Sequence, residues 1–184
     1  HSFPTRRSSD LFSHIYRLAV DNPRLDGTVN GYLKWKQYMN AFGMGVKLGI
    51  DLPSEDRGMI ADTSFYNRLY NKSWNSCTNV FLGIGQGEMQ ATPLQMANMM
   101  CIIANKGYYF TPHFVRSIDD QKSTDTILNW YKEKHNVTSI PGEIYEIVQL
   151  GMQDVIESGT GRVAKIEGIS VAGKTGTAEN YGMI

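Results

Sequence analysis

Gly168-Ile-Ser-Val-Ala-Gly173-Lys174-Thr175-Gly176-Thr177-Ala178-Glu179 is the stretch on which the reading of this chain turns. Ile169 and Val171 alternate with Ser170 and Ala172, a period of two that predicts a strand near 168–178. On a strand, Lys174 and Gly176 share one face and Thr175 and Thr177 the other. Gly176 lets another chain approach closely, and the Lys174 ammonium with the two hydroxyls suits an anion such as a carboxylate.

Gly168, four residues, then Gly173-Lys174-Thr175 also satisfies the phosphate-loop pattern of nucleotide-binding proteins. The physics disfavours it. A phosphate loop needs its strand before the first glycine and a helix starting at the lysine. Here the strand-like run lies inside the loop, and Thr-Gly-Thr-Ala is a weak helix start. ATP binding by a longer version of the chain would favour this reading.

The chain has 184 residues, enough for one domain with a core, and 18 basic residues balance 18 acidic ones. No basic stripe points to nucleic acid or a membrane surface. No apolar run reaches the roughly 18 residues that cross a bilayer, and no signal-peptide pattern opens the chain. Any anchor or export signal is therefore expected outside it. Cys77 and Cys101 lack CxxC spacing and are expected as buried free thiols. His1, His14, His113 and His135 lack metal-ligand spacing, so neither a metal nor a cofactor is expected.

Residues 1–11 (HSFPTRRSSDL) are polar and aperiodic, resemble a translated adapter sequence, and are set apart from the domain expected over 12–184. Helices are predicted near 12–20, 32–42, 93–105 and 143–157. Asp21-Asn22-Pro23 ends the first, and Gly43 and Gly45 end the second. Thr92-Pro93, a hydroxyl cap with proline at the first helical position, starts the third. Its methionine-rich stripe reads as core. The inner face of the fourth is expected to be Ile147, Val148, Leu150, Met152 and Val155. Residues 56–75, with Phe65, Tyr66, Tyr70 and Trp74, read as a long surface excursion. Gly83-Ile-Gly85-Gln86-Gly87 fails the dinucleotide spacing because Glu88 stands where a glycine would be needed. Tyr108 to Ile118 reads as an extended edge, limited by Pro112.

Several of these segments, taken in order, resemble one family. They are Phe42-Gly-Met-Gly45 leading to Leu52-Pro53-Ser54-Glu55, and Gly85-Gln86-Gly87 before Thr92-Pro93-Leu94-Gln95-Met96-Ala97. Ala104-Asn105-Lys106-Gly107, the Gly159-Thr160-Gly161 turn and Val171 to Glu179 follow. The chain resembles the penicillin-binding serine transpeptidases, monofunctional class B and elongation type, from about Phe12 to Glu179. The fold this implies is α/β: a fragment of the penicillin-recognising, β-lactamase-like fold, helix-rich, with the Lys-Thr-Gly strand near the C-terminus.

The resemblance implies acyl transfer through a serine ester. The serine attacks the D-alanyl-D-alanine carbonyl of a peptidoglycan stem peptide, and a lysine one helical turn later acts as its base. D-alanine leaves and a neighbouring stem peptide's amine resolves the ester; β-lactams acylate the same serine. Lys174 would be catalytic, orienting and activating a second-motif serine. Thr175, Gly176 and Thr177 would bind substrate or penicillin, with the Thr177 N–H as an oxyanion donor. Ser8-Ser9-Asp10 matches the family's second motif, against the preferred reading of an accidental match in foreign sequence. Ser-x-x-Lys occurs nowhere in the chain, so an internal fragment, inactive by itself, is expected. The parent protein would sit at the periplasmic face of the inner membrane and partner an integral-membrane glycosyltransferase of the elongation machinery. The alternative is a β-lactam sensor domain of a signalling receptor, with an intramembrane protease segment upstream.

Overall fold

The computed structural model describes residues 4–117, 128–137 and 140–176, with side chains from residue 11 onward. Helix α1 (Pro4–Val20) leads through a short 3-10 turn (Pro23–Leu25) to α2 (Thr28–Ala41). Then come β1 (Met59–Ile60), α3 (Thr63–Leu69), a second 3-10 turn (Val80–Ile84), β2 (Met89–Gln90) and α4 (Pro93–Ala104). Strands β3 (Tyr108–Phe110) and β4 (Lys134–Asn136), α5 (Gly142–Glu157) and a last 3-10 turn (Arg162–Ala164) complete the order. Each antiparallel pair joins segments distant in sequence: β1 with β2, Ile60 opposite Met89, and β3 with β4, Tyr109 opposite His135. The four helices predicted by periodicity are present, and α1 starts at Pro4 rather than near residue 12. Ser8, Ser9 and Asp10 therefore lie on α1 itself.

Two apolar clusters hold these elements. Tyr16, Val20, Tyr32, Ala61, Tyr66, Trp74 and Leu82 form the first. It corrects the surface reading of residues 56–75: Tyr66 is fully buried, and the Tyr32 ring meets Tyr66 and Trp74 edge-on at 5.5 and 5.6 Å. The seven-residue α3 is too short to display a readable period, which is why its aromatics escaped the pattern. Helices α1 and α2 touch at Gly31. A Cβ there would lie 1.7 Å from the Val20 carbonyl oxygen, so only glycine permits the crossing. Gly83 performs the same service between its 3-10 turn and α1, where a Cβ would meet Tyr16 at 2.7 Å.

The second cluster joins Ile102, Val137 and Tyr145, flanked by Phe42, Tyr109 and Ile140. Here two expectations are corrected. Helix α4 buries Gln95, Asn98 and Ile102, while Met96 faces outward. Helix α5 buries Tyr145 and Ile156, and leaves Ile147 and Leu150 more than 60% exposed. Both helices choose their inner face by polar contacts. Gln95 Nε2 donates to the carbonyls of Val46 and Arg57, both at 2.8 Å. Gln149 Nε2 donates to those of Ile103 and Ala104. Hydrophobicity alone does not register such anchors. The two cysteines are free, as expected, yet both are exposed.

The start of α4 is as predicted. Thr92 accepts the Gln95 N–H at 3.2 Å and donates its own backbone N–H to Gln95 Oε1 at 2.9 Å, a reciprocal cap. Glu55 closes the Leu-Pro-x-Glu segment by accepting the backbone N–H groups of Leu48, Gly49 and Ile50. Its carboxylate thereby satisfies donors that the glycine-rich turn leaves open.

Candidate functional site

Lys174, Thr175 and Gly176 lie together on an exposed segment that follows Gly173; Thr177 falls outside the described residues. The strand expected near 168–178 is not formed: residues 170–176 carry no strand, and the one bridge nearby joins Ile166 to Ile169. A strand exists only with a hydrogen-bonded neighbour, and no described residue provides one here. Alternating side chains announce a strand's faces but not its partner. Nor do residues 174–176 open a helix, as a phosphate loop would require.

What holds the segment is α5. The Gly173 N–H donates to the Met152 carbonyl at 3.0 Å. A Cβ at Gly173 would stand 3.3 Å from Ile156 Cδ1, so the absence of a side chain sets this closeness. Gln153 Nε2 donates to Ser170 Oγ at 3.1 Å. Beside it, Ala104, Glu146, Gln149, Leu150, Ser170 and Ala172 line an open groove of about 550 Å³.

Two further contacts define the triad's surroundings. Thr175 Oγ1 lies 3.0 Å from Thr160 Oγ1, in the turn that follows α5. Lys174 Nζ donates to the Thr175 carbonyl at 2.6 Å and stands 6.0 Å from the centroid of the Phe12 ring. That distance is at the outer limit of a cation–π contact. It brings α1 up to the lysine, which nothing in the linear order announces. Thr160 was not among the candidate residues either; its only signal was the Gly159-Thr160-Gly161 turn.

The arrangement offers a cation and a hydroxyl pair on a surface open to solvent, which suits recognition of an anion such as a carboxylate. Among the described residues no cluster of three metal-ligating side chains occurs, and no helix is long and apolar enough to cross a membrane.

The family profile described as the penicillin binding protein transpeptidase domain matches residues 17–183. The peptidoglycan D,D-transpeptidase MrdA of Acinetobacter baumannii is 37% identical over 149 residues, which are 81% of this chain and 22% of that protein. The chain thus spans about a fifth of that curated relative. Pseudomonas aeruginosa PBP2, solved in complex with WCK 5153, is 28% identical, with a TM-score of 0.64 over 85% of this chain and 33% of that one. A chain from a structure titled for coordination of polymerization and crosslinking by a peptidoglycan synthase complex is 25% identical. It covers 92% of this chain and 26% of its own, with a TM-score of 0.64. The α/β, helix-rich arrangement is thus a fragment of the transpeptidase fold.

Proposed function

Since the chain belongs to the penicillin binding protein transpeptidase domain family, we propose that its parent protein is a peptidoglycan D,D-transpeptidase of the elongation type. The observation that carries this reading is the match over residues 17–183, which includes the Lys174-Thr175-Gly176 segment.

The substrates are stem peptides ending in D-alanyl-D-alanine. A serine of a Ser-x-x-Lys motif elsewhere in the parent protein forms an ester with the penultimate D-alanine as its proton passes to the lysine base. The peptide bond breaks and D-alanine leaves with a proton on its amine. The amine of a second stem peptide then displaces the serine, giving the cross-link and restoring the hydroxyl. β-Lactams enter the same first step and remain bound.

Lys174 supplies positive potential beside the reacting centre, and Thr175 and Thr177 donate to the terminal carboxylate. Gly176 leaves room for the substrate backbone, and the Thr177 N–H serves as an oxyanion donor. Seating the segment on α5, through Gly173 and Ser170, supports this reading because it anchors the backbone that leads into Lys174 and Thr175. The likeness to a relative named as a transpeptidase, and to a chain from a peptidoglycan synthase complex, supports two more assignments. These are a glycosyltransferase partner in the membrane and a place at the periplasmic face.

Fluorescent penicillin labelling of the full-length parent protein tests the assignment. The wild type acquires a covalent adduct, and Lys174→Ala slows acylation by orders of magnitude, as for loss of a preorganised charge. Thr175→Val weakens carboxylate recognition by roughly 1–3 kcal/mol. Lys165→Ala, whose ammonium pairs with Glu157, labels like the wild type. Wild-type rates from Lys174→Ala would reject the site.

A further inference from the structure

Thr160 occupies a place that no role has yet been given. Its hydroxyl is 3.0 Å from that of Thr175, and the two come from different parts of the chain. Both are held by one element. In the turn carrying Thr160, the N–H groups of Ser158 and Gly159 donate to the Asp154 carbonyl at 3.0 and 2.9 Å, and that of Gly161 to Val155 at 2.9 Å. A Cβ at Gly159 would lie 2.8 Å from Val155 Cα, and one at Gly161 2.8 Å from Ile156 Cδ1. The turn therefore presses against the last turn of α5. One turn earlier the same helix receives the Gly173 N–H at Met152. The separation of the two hydroxyls is thus a property of α5 rather than of two independent loops.

A threonine hydroxyl has one proton to give and two lone pairs to receive with. The bond between the two hydroxyls can run either way, and if Thr175 donates to Thr160 its proton is no longer available to a carboxylate. If Thr160 donates instead, Thr175 accepts through a lone pair and keeps its proton for the ligand. We propose that Thr160 is a positioning residue: its O–H donates to Thr175 Oγ1 and so directs the single Thr175 proton outward, toward the carboxylate of the acyl donor. A relay of this kind strengthens the outer bond, because each hydroxyl polarises the next. The inference rests on the assignment of Thr175 made under Proposed function.

The experiment uses the full-length parent protein and two probes, a penicillin with its free carboxylate and the same molecule as its methyl ester. Acylation is followed by stopped flow across probe concentration for wild type, Thr160→Val, Thr160→Ser and Thr175→Val, each checked for an unchanged thermal midpoint. With the free acid, Thr160→Val raises the half-saturating concentration about three- to tenfold, the size of one neutral hydrogen bond. The limiting rate stays within about twofold, since the bond serves binding rather than the chemical step. Thr160→Ser, which keeps the hydroxyl, behaves like the wild type. The ester reacts poorly and equally with wild type and Thr160→Val. The proposal is overturned if Thr160→Val matches wild type on the acid while Thr175→Val is weakened, or if Thr160→Val impairs both probes alike. A wild type that treats acid and ester equally removes the carboxylate role of Thr175, a different failure from either of those, and the proposal goes with it.

Discussion

The Asp51 carboxylate receives the Phe114 backbone N–H through both oxygens, at 3.0 and 2.9 Å, and so ties the turn after α2 to the segment leaving β3. The Val115 N–H joins it at 2.8 Å. These donors, Val115 first, hold the Asp51 carboxyl below its ordinary value of 3.8, with a smaller contribution from His113. A depressed folded value means that the contact stabilises fully above the unfolded value and is lost as pH falls through the lower, folded one. Thermal midpoints of wild type and Asp51→Ala are therefore expected to differ at neutral pH and to converge as the pH falls below the ordinary value of 3.8. A gap that persists at low pH would reject the ionic part of the contact.

Gln95 should be among the least replaceable side chains of the fold. Its amide satisfies the Val46 and Arg57 carbonyls and the Thr92 N–H while only 1% exposed. Gln95→Leu strands those groups and is expected to destabilise by about 3 kcal/mol or more in urea denaturation. Thr92→Ala should cost about 1 kcal/mol, as for a lost cap. The double variant should fall short of the sum, because the two residues form one reciprocal cap.

Gly31 and Gly151 are both helical glycines and should respond oppositely to alanine. The Gly31 Cβ collides with the Val20 backbone, whose helix must retreat, so Gly31→Ala is expected to lose about 3 kcal/mol or more. Nothing lies within 4 Å of a Cβ at Gly151. Gly151→Ala should gain up to about 1 kcal/mol from helix propensity. Equal effects in chemical denaturation would contradict the observed packing of α1 on α2.

Whole segments of this fold were legible from local signals, and the reason is physical. Thr92-Pro93 marks a helix start because capping is settled by neighbouring residues. The buried faces of α4 and α5 were misjudged, since the carbonyls that draw in Gln95 and Gln149 belong to remote segments. The pairing of β3 with Lys134–Asn136 went unseen for the same reason. At the site, the identities of Lys174 and Thr175 were legible as a motif. The contacts to Thr160 and Phe12 were not, because only the folded α5 and α1 bring them near.

Tyr16, Tyr32 and Tyr66 should resist ionisation. Burial is the main cause that pushes each phenol above its ordinary 10.0, and mutual repulsion with nearby tyrosines and carboxylates adds to it for Tyr16 and Tyr66. The Tyr66 hydroxyl also donates to Glu88 at 3.0 Å. Raised folded values make these groups stabilising below the ordinary phenol range, with that stability lost as pH climbs beyond it. In an alkaline absorbance titration, these three of the 10 tyrosines are expected to ionise only in a step that coincides with loss of far-ultraviolet helix signal. A single smooth titration near pH 10 with helicity intact would reject the cluster.

The first apolar cluster also sets an order of events during folding. Tyr16 lies on α1, yet it is covered by Leu82 and backed by Gly83, more than 60 residues further along. Such closure is slow, because the entropy of closing a long loop opposes it before the contact forms. Tyr16 and Val20 therefore stay uncovered until the Val80–Ile84 turn has docked. Protection of the α1 amides in pulsed hydrogen exchange is accordingly expected to appear together with that of the Val80–Ile84 turn and not ahead of it.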